Sequence, residues 1–422
     1  MTEQILVVGS GGREHAIAEA LAKSEQVDRV YVAPGNPGME STHNKIQTVN
    51  IKADDVFELL NFAQKKAVSM TFVGPEASFV AGIVDEFRVA GLDIVGPTKE
   101  AAQLESSKSF AKEVMDRAKV KTAEYKKFFG DELEEAIAFI KSFEPPYVIK
   151  QDGLAAGKGV VIAESFSEAE DTLKKFLTQP QASVLVEEFL SGDEFSYFAF
   201  VNGEHIIKLT SACDYKRLLD DDKGPNTGGM GAIAPVDWID EKVEDDLIEK
   251  IIQPVASTMV EMGVPYTGVM YLGGMLGDKG AQVIEFNARF GDPETQVILP
   301  LMESEFYDVV QAHLKQEDYS VVWKDKYSLG VVLAADGYPN DPVKGIPLSP
   351  LQLTDNIHVH YAGIKDGDTD MWESSSGRIA MVSSQADKLS DSRQVVYDYI
   401  DQQIKNDQII YRNDVGYHRQ ML

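Results

Sequence analysis

The candidate reactive side chains gather on one charged strand and in a few glycine-rich loops. In AQVIEFNARFGDPET, period-two alternation puts Glu285, Asn287 and Arg289 on one face and Ile284, Phe286 and Ala288 on the other. A carboxylate and an amide oxygen two residues apart are hard ligands for a divalent cation that also carries phosphates, and a guanidinium suits an anion beside it. Asp292 and Pro293 read as the N-cap and first residue of a helix. A merely solvated strand face is the plain alternative. The segment YVIKQDGLAAGKGVVIA, 147–163, departs from a P-loop, since three residues separate Gly153 from Gly157, Gly159 stands where Ser or Thr would bind magnesium, and a strand follows. What remains is a glycine-rich loop between strands, with Lys150 on the incoming strand and Lys158 at the tip. Such a loop can fold over a triphosphate; a hairpin with solvated lysines is the alternative.

Three weaker signals accompany these. GSGGREHA at 9–16 opens like a dinucleotide fingerprint, but Glu14 occupies the third glycine position and no acid closes the second strand. Glycines ahead of a helix still let backbone N–H groups approach a phosphate, with Arg13 adding charge; a tight turn without ligand is equally open. In VLVEEFLSGDEFSY, a strand edge followed by Glu194 could meet an adenine and a ribose, although an ordinary hairpin reads as well. GPNTGGMGA at 224–232, preceded by Asp214, Lys216 and Arg217, suits an anion-binding nest or a mobile linker. His358 and His360 alternate on one strand face and read as solvated, and Cys213 reads as packed.

The background makes basic loops more telling. Among 422 residues, 40 Lys and Arg face 68 Asp and Glu for a net charge of −28. Such a surface repels phosphate polymers and anionic membranes, which argues against nucleic-acid or lipid binding and leaves small anions held in locally basic pockets. A single cysteine excludes an internal disulfide. With no apolar stretch near the roughly 20 residues a bilayer needs and no secretory layout before Arg13, a soluble cytoplasmic protein is expected. No HExxH, GxSxG or kinase HRD string occurs.

The positioning elements follow from pattern. Four short apolar runs (5–8, 30–33, 70–73, 92–95) each end in Gly or Pro and alternate with amphipathic helices, which predicts a parallel doubly wound sheet whose loops share one rim. The middle block reads as α+β with antiparallel sheet, including a hairpin at Asn202–Gly203 and another at GDKG. The last block, from about 327, shows short strands and a helix with an apolar stripe of Val396, Tyr399, Ile400 and Ile404.

In order along the chain, GSGGREHA, APGN, VGPE, IKQDGLAAGKGV, EEFLSGDE, GPNTGGMGA, IEFNARFGDPETQ and SLGVVLAADGYP resemble the phosphoribosylamine–glycine ligases, or glycinamide ribonucleotide synthetases, of the ATP-grasp superfamily. The resemblance implies a multidomain α/β and α+β fold: a Rossmann-like N-terminal domain (1–103), an ATP-grasp unit (104–326) with a small lid (about 122–188), and a β-rich C-terminal domain (327–422). It implies ATP-dependent joining of glycine to 5-phosphoribosylamine in purine synthesis, with Mg2+ or Mn2+, in a monomer or weak homodimer. Carried onto this chain, Lys108, Lys150, Gly153, Gly157, Lys158 and Gly159 would hold phosphates. The backbone of Glu187, Glu188 and Leu190 would meet adenine and Glu194 the ribose, with Glu285 and Asn287 on the metal. Gly11, Gly12, Arg13 and Asn36 would face phosphoribosylamine. Asp214, Lys216, Gly228, Gly229, Met230, Gly231 and Arg289 would neighbour glycine and the acyl phosphate, with Lys158, Arg289, Asp214 and Lys216 catalytic.

The chain departs from the resembled pattern at a few places. Cys213 and Tyr215 stand where Gln and His are usual, Gln151 replaces a usual Ala, and SSSGR at 374–378 lacks one glycine. Other ATP-grasp ligases with a different acid or amine, a nicotinamide-dependent oxidoreductase and a non-catalytic nucleotide-binding regulator are the competing readings.

Overall fold

A computed structural model describes residues 2–153, 159–368 and 371–417. The expected loop-tip residues Gly157 and Lys158 lie outside the described residues.

The apolar runs of the first hundred residues become a five-stranded parallel sheet in the order Ile46–Thr48, Val27–Pro34, Glu3–Gly9, Met70–Val73, Ile94–Val95. Both faces are covered, so these strands need no polar alternation: Ile5 to Val8 are fully buried. Helix Gly12–Ala22 starts directly after the first strand, and helix Val56–Lys66 is capped by the Asp55 carboxylate accepting from Glu58 N (3.2 Å). The strand-end loops open on one rim, as the alternating pattern requires.

Residues 125–187 form a separate antiparallel sheet of four strands, ordered Tyr125–Phe129, Ser183–Glu187, Tyr147–Gln151, Val160–Ala163. Helices Leu133–Ile140 and Phe166–Phe176 cover it, burying Phe128, Ile149, Val184 and Leu173 in a core of its own.

The largest sheet has nine strands and runs Gly280–Asn287, Thr267–Gly277, Asp193–Asn202, His205–Asp214, Gly231–Ala234, Tyr327–Ala335, Arg378–Ala386, His358–Tyr361, with Ile409–Ile410 beside Tyr327–Ala335. Both expected hairpins are present. The change of texture near residue 327 does not interrupt this sheet, because Gly231 faces Val331 across an antiparallel pair. The C-terminal strands therefore extend the central sheet, and so can reach the loops that emerge from it. An aromatic cluster joins the sheets: Phe72 of the parallel sheet stacks on Phe290 at 6.1 Å between centroids, and Phe200 meets Phe290 edge-on at 5.9 Å.

Two local expectations fail. No helix begins at Pro293; residues 292–294 are a turn, and the short helix spans Thr295–Ile298. Asp292 is drawn off by Arg378 and Gln296 instead of capping. Neither histidine of the pair is solvated: His358 is half-buried with Nε2 3.3 Å from Gln385 Nε2, and His360 is buried with Nε2 3.1 Å from Glu19 Oε2 and its ring edge-on to that of His15. Burial is the first force on His15 and pushes its pKa down to about 3.

Candidate active site

The residues expected to hold ATP lie on the small sheet, on the helix before it and on the facing strands of the central sheet. Lys150 is buried on strand Tyr147–Gln151; its Nζ pairs with Glu187 Oε2 at 2.9 Å and donates to the Ile284 carbonyl at 3.3 Å, the residue before Glu285. The other oxygen of Glu187 lies 3.4 Å from Lys112 Nζ. Glu187 is thus a buried anion between two lysines, and Lys112 was not foreseen from sequence: it sits inside an ordinary amphipathic helix, Lys108–Ala118. Burial lowers the Lys112 pKa to about 8 despite that partner. Lys108 Nζ donates to Gly153 O at 2.9 Å, and Gly159 O accepts from Gln151 N at 2.7 Å, so both feet of the glycine-rich loop are fixed. Lys127 reaches Asp152 at 2.8 Å and steadies the same foot.

At the strand edge, Glu188 N is already donated to Glu124 O (2.8 Å), and Leu190 lies in the connection that follows. Glu194 is ion-paired with Lys216. Lys216 also lies 3.7 Å from Asp214 Oδ1, so one ammonium bridges the expected ribose acid and the expected glycine acid. Burial chiefly raises the Asp214 pKa, and Lys216 opposes it.

Glu285 and Asn287 do share a face: Asn287 Nδ2 lies 3.5 Å from Glu285 Oε1. Asn287 is buried while Glu285 is exposed. Desolvation acts against the Glu285 charge, but Lys216 and Lys150 outweigh it and hold the carboxyl below its usual range. An ionised carboxylate with open lone pairs beside an amide oxygen fits a hard divalent cation that takes its other ligands from phosphates and water. Among the described residues no group of three or more His, Cys, Asp or Glu forms a metal cage. Arg289, on the same strand extension, is engaged by Glu105 (3.0 Å) and lies 3.6 Å from Glu76 of the VGPE loop. Glu105 in turn accepts from Ala288 N at 2.8 Å.

The loop 224–231 is held from both sides. Met230 N donates to Tyr215 O (2.8 Å) and Tyr215 N to Gly231 O (2.9 Å), so Met230 is buried and Gly231 belongs to the sheet. Gly228 N donates to Tyr338 Oη at 2.8 Å, and Gly228 O accepts from Arg378 Nη1 at 2.7 Å. Arg378 also donates to Asp292 O and pairs with its carboxylate at 3.0 Å. Gly229 has φ +110°, and a Cβ there would overlap Pro293, so glycine is obligatory. Behind this loop, Glu294 is buried with Oε1 accepting from Tyr271 Oη (2.7 Å) and Ser196 Oγ (3.2 Å). Tyr338, Arg378 and Glu294 lie inside SLGVVLAADGYP, SSSGR and IEFNARFGDPETQ, but nothing in those strings assigns them to the site.

The N-terminal loop abuts the same turn. Glu14, in place of the third glycine, folds back so that Oε2 accepts from Gly11 N (2.7 Å) and Oε1 from Arg13 Nε (2.6 Å). It fills the space over Gly74, where a Cβ would overlap it. Arg13 Nη1 donates to Phe290 O at 3.1 Å. A Cβ on Gly12 would come within 2.6 Å of Gln296 Nε2, and one on Gly11 within 3.3 Å of Asp292 Oδ2. The Asn36 side chain is spent on structure, donating to Ser10 O and Tyr361 O and accepting from Gly38 N.

The domain descriptions of phosphoribosylglycinamide synthetase match the chain in sequence: the N domain at residues 3–105, the ATP-grasp (A) domain at 106–295 and the C domain at 328–418. The chain belongs to the phosphoribosylglycinamide synthetase family. A phosphoribosylamine–glycine ligase of Streptococcus pneumoniae serotype 4 is 44% identical over 420 residues, covering 98% of this chain and 99% of that one. The Lactococcus lactis subsp. lactis phosphoribosylamine–glycine ligase is 43% identical over 414 residues. The crystal structure of phosphoribosylamine–glycine ligase from Thermotoga maritima superimposes with a TM-score of 0.82 at 32% identity over 97% of this chain and 99% of that one. Family membership makes this an ATP-grasp ligase. No helix among the described residues is long and apolar enough to cross a membrane.

Proposed function

We propose that this chain joins glycine to 5-phosphoribosylamine at the expense of ATP, giving glycinamide ribonucleotide, ADP and phosphate. The observation that carries the reading is the Lys150 bridge: one buried lysine is paired with Glu187 at the adenine edge and hydrogen-bonded to Ile284 O, next to Glu285. With that bridge in place, the phosphate end of a nucleotide would lie against the strand bearing Glu285 and Asn287, and Asp214, Lys216 and the loop 224–231 would supply a charged floor for the acid.

In this reading a carboxylate oxygen of glycine attacks the γ-phosphorus in line and ADP leaves with the bridging oxygen. Lys150, with Lys108 and Lys158, offsets charge on the phosphates. A Mg2+ or Mn2+ ion bound with the nucleotide would be held by Glu285 and Asn287 and would supply electrostatic neutralisation. The phosphoribosylamine nitrogen, presented from the Gly11–Gly12–Arg13 loop, then attacks the acyl carbon. The C–O bond to phosphate breaks, phosphate keeps one glycine oxygen, and the amine gives up one proton. Asn36 acts by shaping that loop. Because Arg289 is occupied by Glu105 and Glu76, it serves best as the clamp tying the N-terminal loops to the metal strand. Glycyl phosphate is hydrolysed by water, so closure of the small sheet and its loop should precede transfer. The chain is expected to act in the cytoplasm, as a monomer or weak homodimer.

The test is ADP release from purified protein with magnesium, ATP and glycine, with and without phosphoribosylamine generated from ribose 5-phosphate and ammonia. ADP matched by glycinamide ribonucleotide, only with all three substrates, is expected, and Glu285→Ala should cut that rate by about 100-fold or more with the fold intact. ADP formation driven by a different acid or amine would replace the substrates.

A further inference from the structure

Tyr215 lies between Asp214 and Lys216, whose side chains approach each other at 3.7 Å, while its own side chain reaches the C-terminal segment. Its backbone holds the substrate loop through Met230 N and Gly231 O. Its side chain is buried under the C-terminal segment 411–417: Tyr215 Oη donates to Tyr417 O (3.2 Å) and accepts from Gly416 N (2.9 Å). The Arg412 guanidinium lies 5.0 Å from the Tyr215 ring centroid and is fully buried. Arg412 pairs with Asp414 at 2.6 Å and Asp222 at 2.9 Å and donates to Arg217 O at 3.1 Å. Asn413 N and Nδ2 reach the two oxygens of Asp220, and Asp221 N reaches Asp414. The segment is itself anchored, since Tyr397 Oη donates to Arg412 O at 2.7 Å.

We propose that residues 411–417 form a strap whose latch is the Tyr215 hydroxyl, and that Tyr215 is a positioning residue fixing Asp214, Lys216 and the loop 224–231 for the glycine half of the reaction. A buried, fully paired arginine between the strap and residues 217–222 makes the arrangement two-sided: loss of either side strands charge in the interior. Lys150 lies on the small sheet and Lys108 on the helix Lys108–Ala118, neither among the strap's contacts, so the strap acts mainly on the acid side and reaches the nucleotide side only through the Lys216–Glu194 pair. The proposal rests on the assignment of this segment to glycine made above.

The experiment compares wild type, Tyr215→Phe and Asp414→Asn, both close to isosteric. Glycine KM is expected to rise about tenfold in each, while the ATP dissociation constant rises by about threefold or less, the loss of one or two hydrogen bonds being felt first at the acid and reaching the nucleotide only through Lys216 and Glu194. Hydrogen exchange should quicken at amides 215–231 and stay unchanged at 125–150. Unchanged glycine KM and unchanged exchange at 215–231, or ATP and glycine constants rising together with a general loss of protection, would overturn the strap's role. If wild type shows no glycine-dependent turnover, the functional reading falls, and exchange alone decides the latch: quickening confined to 215–231 supports it, and no quickening there overturns it.

Discussion

Lys150 and Glu187 form a buried ion pair of 2.9 Å across neighbouring antiparallel strands of the small sheet, and Lys112 approaches the second carboxylate oxygen of Glu187 at 3.4 Å. Two lysines share one acid, so the trio carries a net positive charge where a polyanion is expected.

Removing the acid leaves two buried ammonium groups without their anion. Glu187→Gln should therefore destabilise the small sheet by about 3 kcal/mol, the usual cost of breaking a buried pair from one side. It should also weaken ATP binding through Lys150, which would lose its anchor. Chemical denaturation and nucleotide titration read both effects; full stability with unaltered ATP affinity would show that the trio positions nothing.

Arg378 ties Gly228 O, Asp292 O and the Asp292 carboxylate together. Arg378→Lys keeps the charge but cannot reproduce the planar fork. Steady-state kinetics should show kcat/KM for glycine lowered about tenfold or more, as expected when several charge-assisted hydrogen bonds are lost. A variant indistinguishable from wild type would remove the clamp from the account.

How much of this was legible in the sequence depends on the range of the interaction. Glu285 and Asn287 were placed on one face by alternation, a local property that the strand preserves, and the hairpins at Asn202–Gly203 and Asp278–Lys279 follow from turn chemistry. Glu14 was read as a missing glycine; its role as a cap becomes visible only once Gly11, Arg13 and Gly74 surround it. Arg378 and Tyr338 come from a block some 110 to 150 residues beyond Gly228, and no local pattern announces that their strands extend the same sheet. His360 looked solvated because its partner, Glu19, lies on the first helix.

Three other histidines give a pH dependence. Burial lowers the pKa of His15 to about 3, of His313 to about 3 and of His358 to about 4. Each is depressed below its unfolded value of about 6.5, so the unfolded chain binds more protons between those limits and stability rises with pH. The stabilisation is complete above about pH 6.5 and is lost as pH falls toward 3; at pH 5, His15 alone accounts for about 2 kcal/mol. Thermal unfolding at pH 8 and 5 should show a clear drop in Tm, smaller in His15→Gln. Equal Tm at both values would contradict neutral burial.

Activation of the acid by the γ-phosphoryl group carries one glycine oxygen into phosphate, and isotope labelling reads that transfer. With glycine labelled in both carboxylate oxygens by 18O, one 18O should appear in each phosphate released and one should remain in the amide product. Phosphate free of label in a reaction that still yields glycinamide ribonucleotide would contradict it.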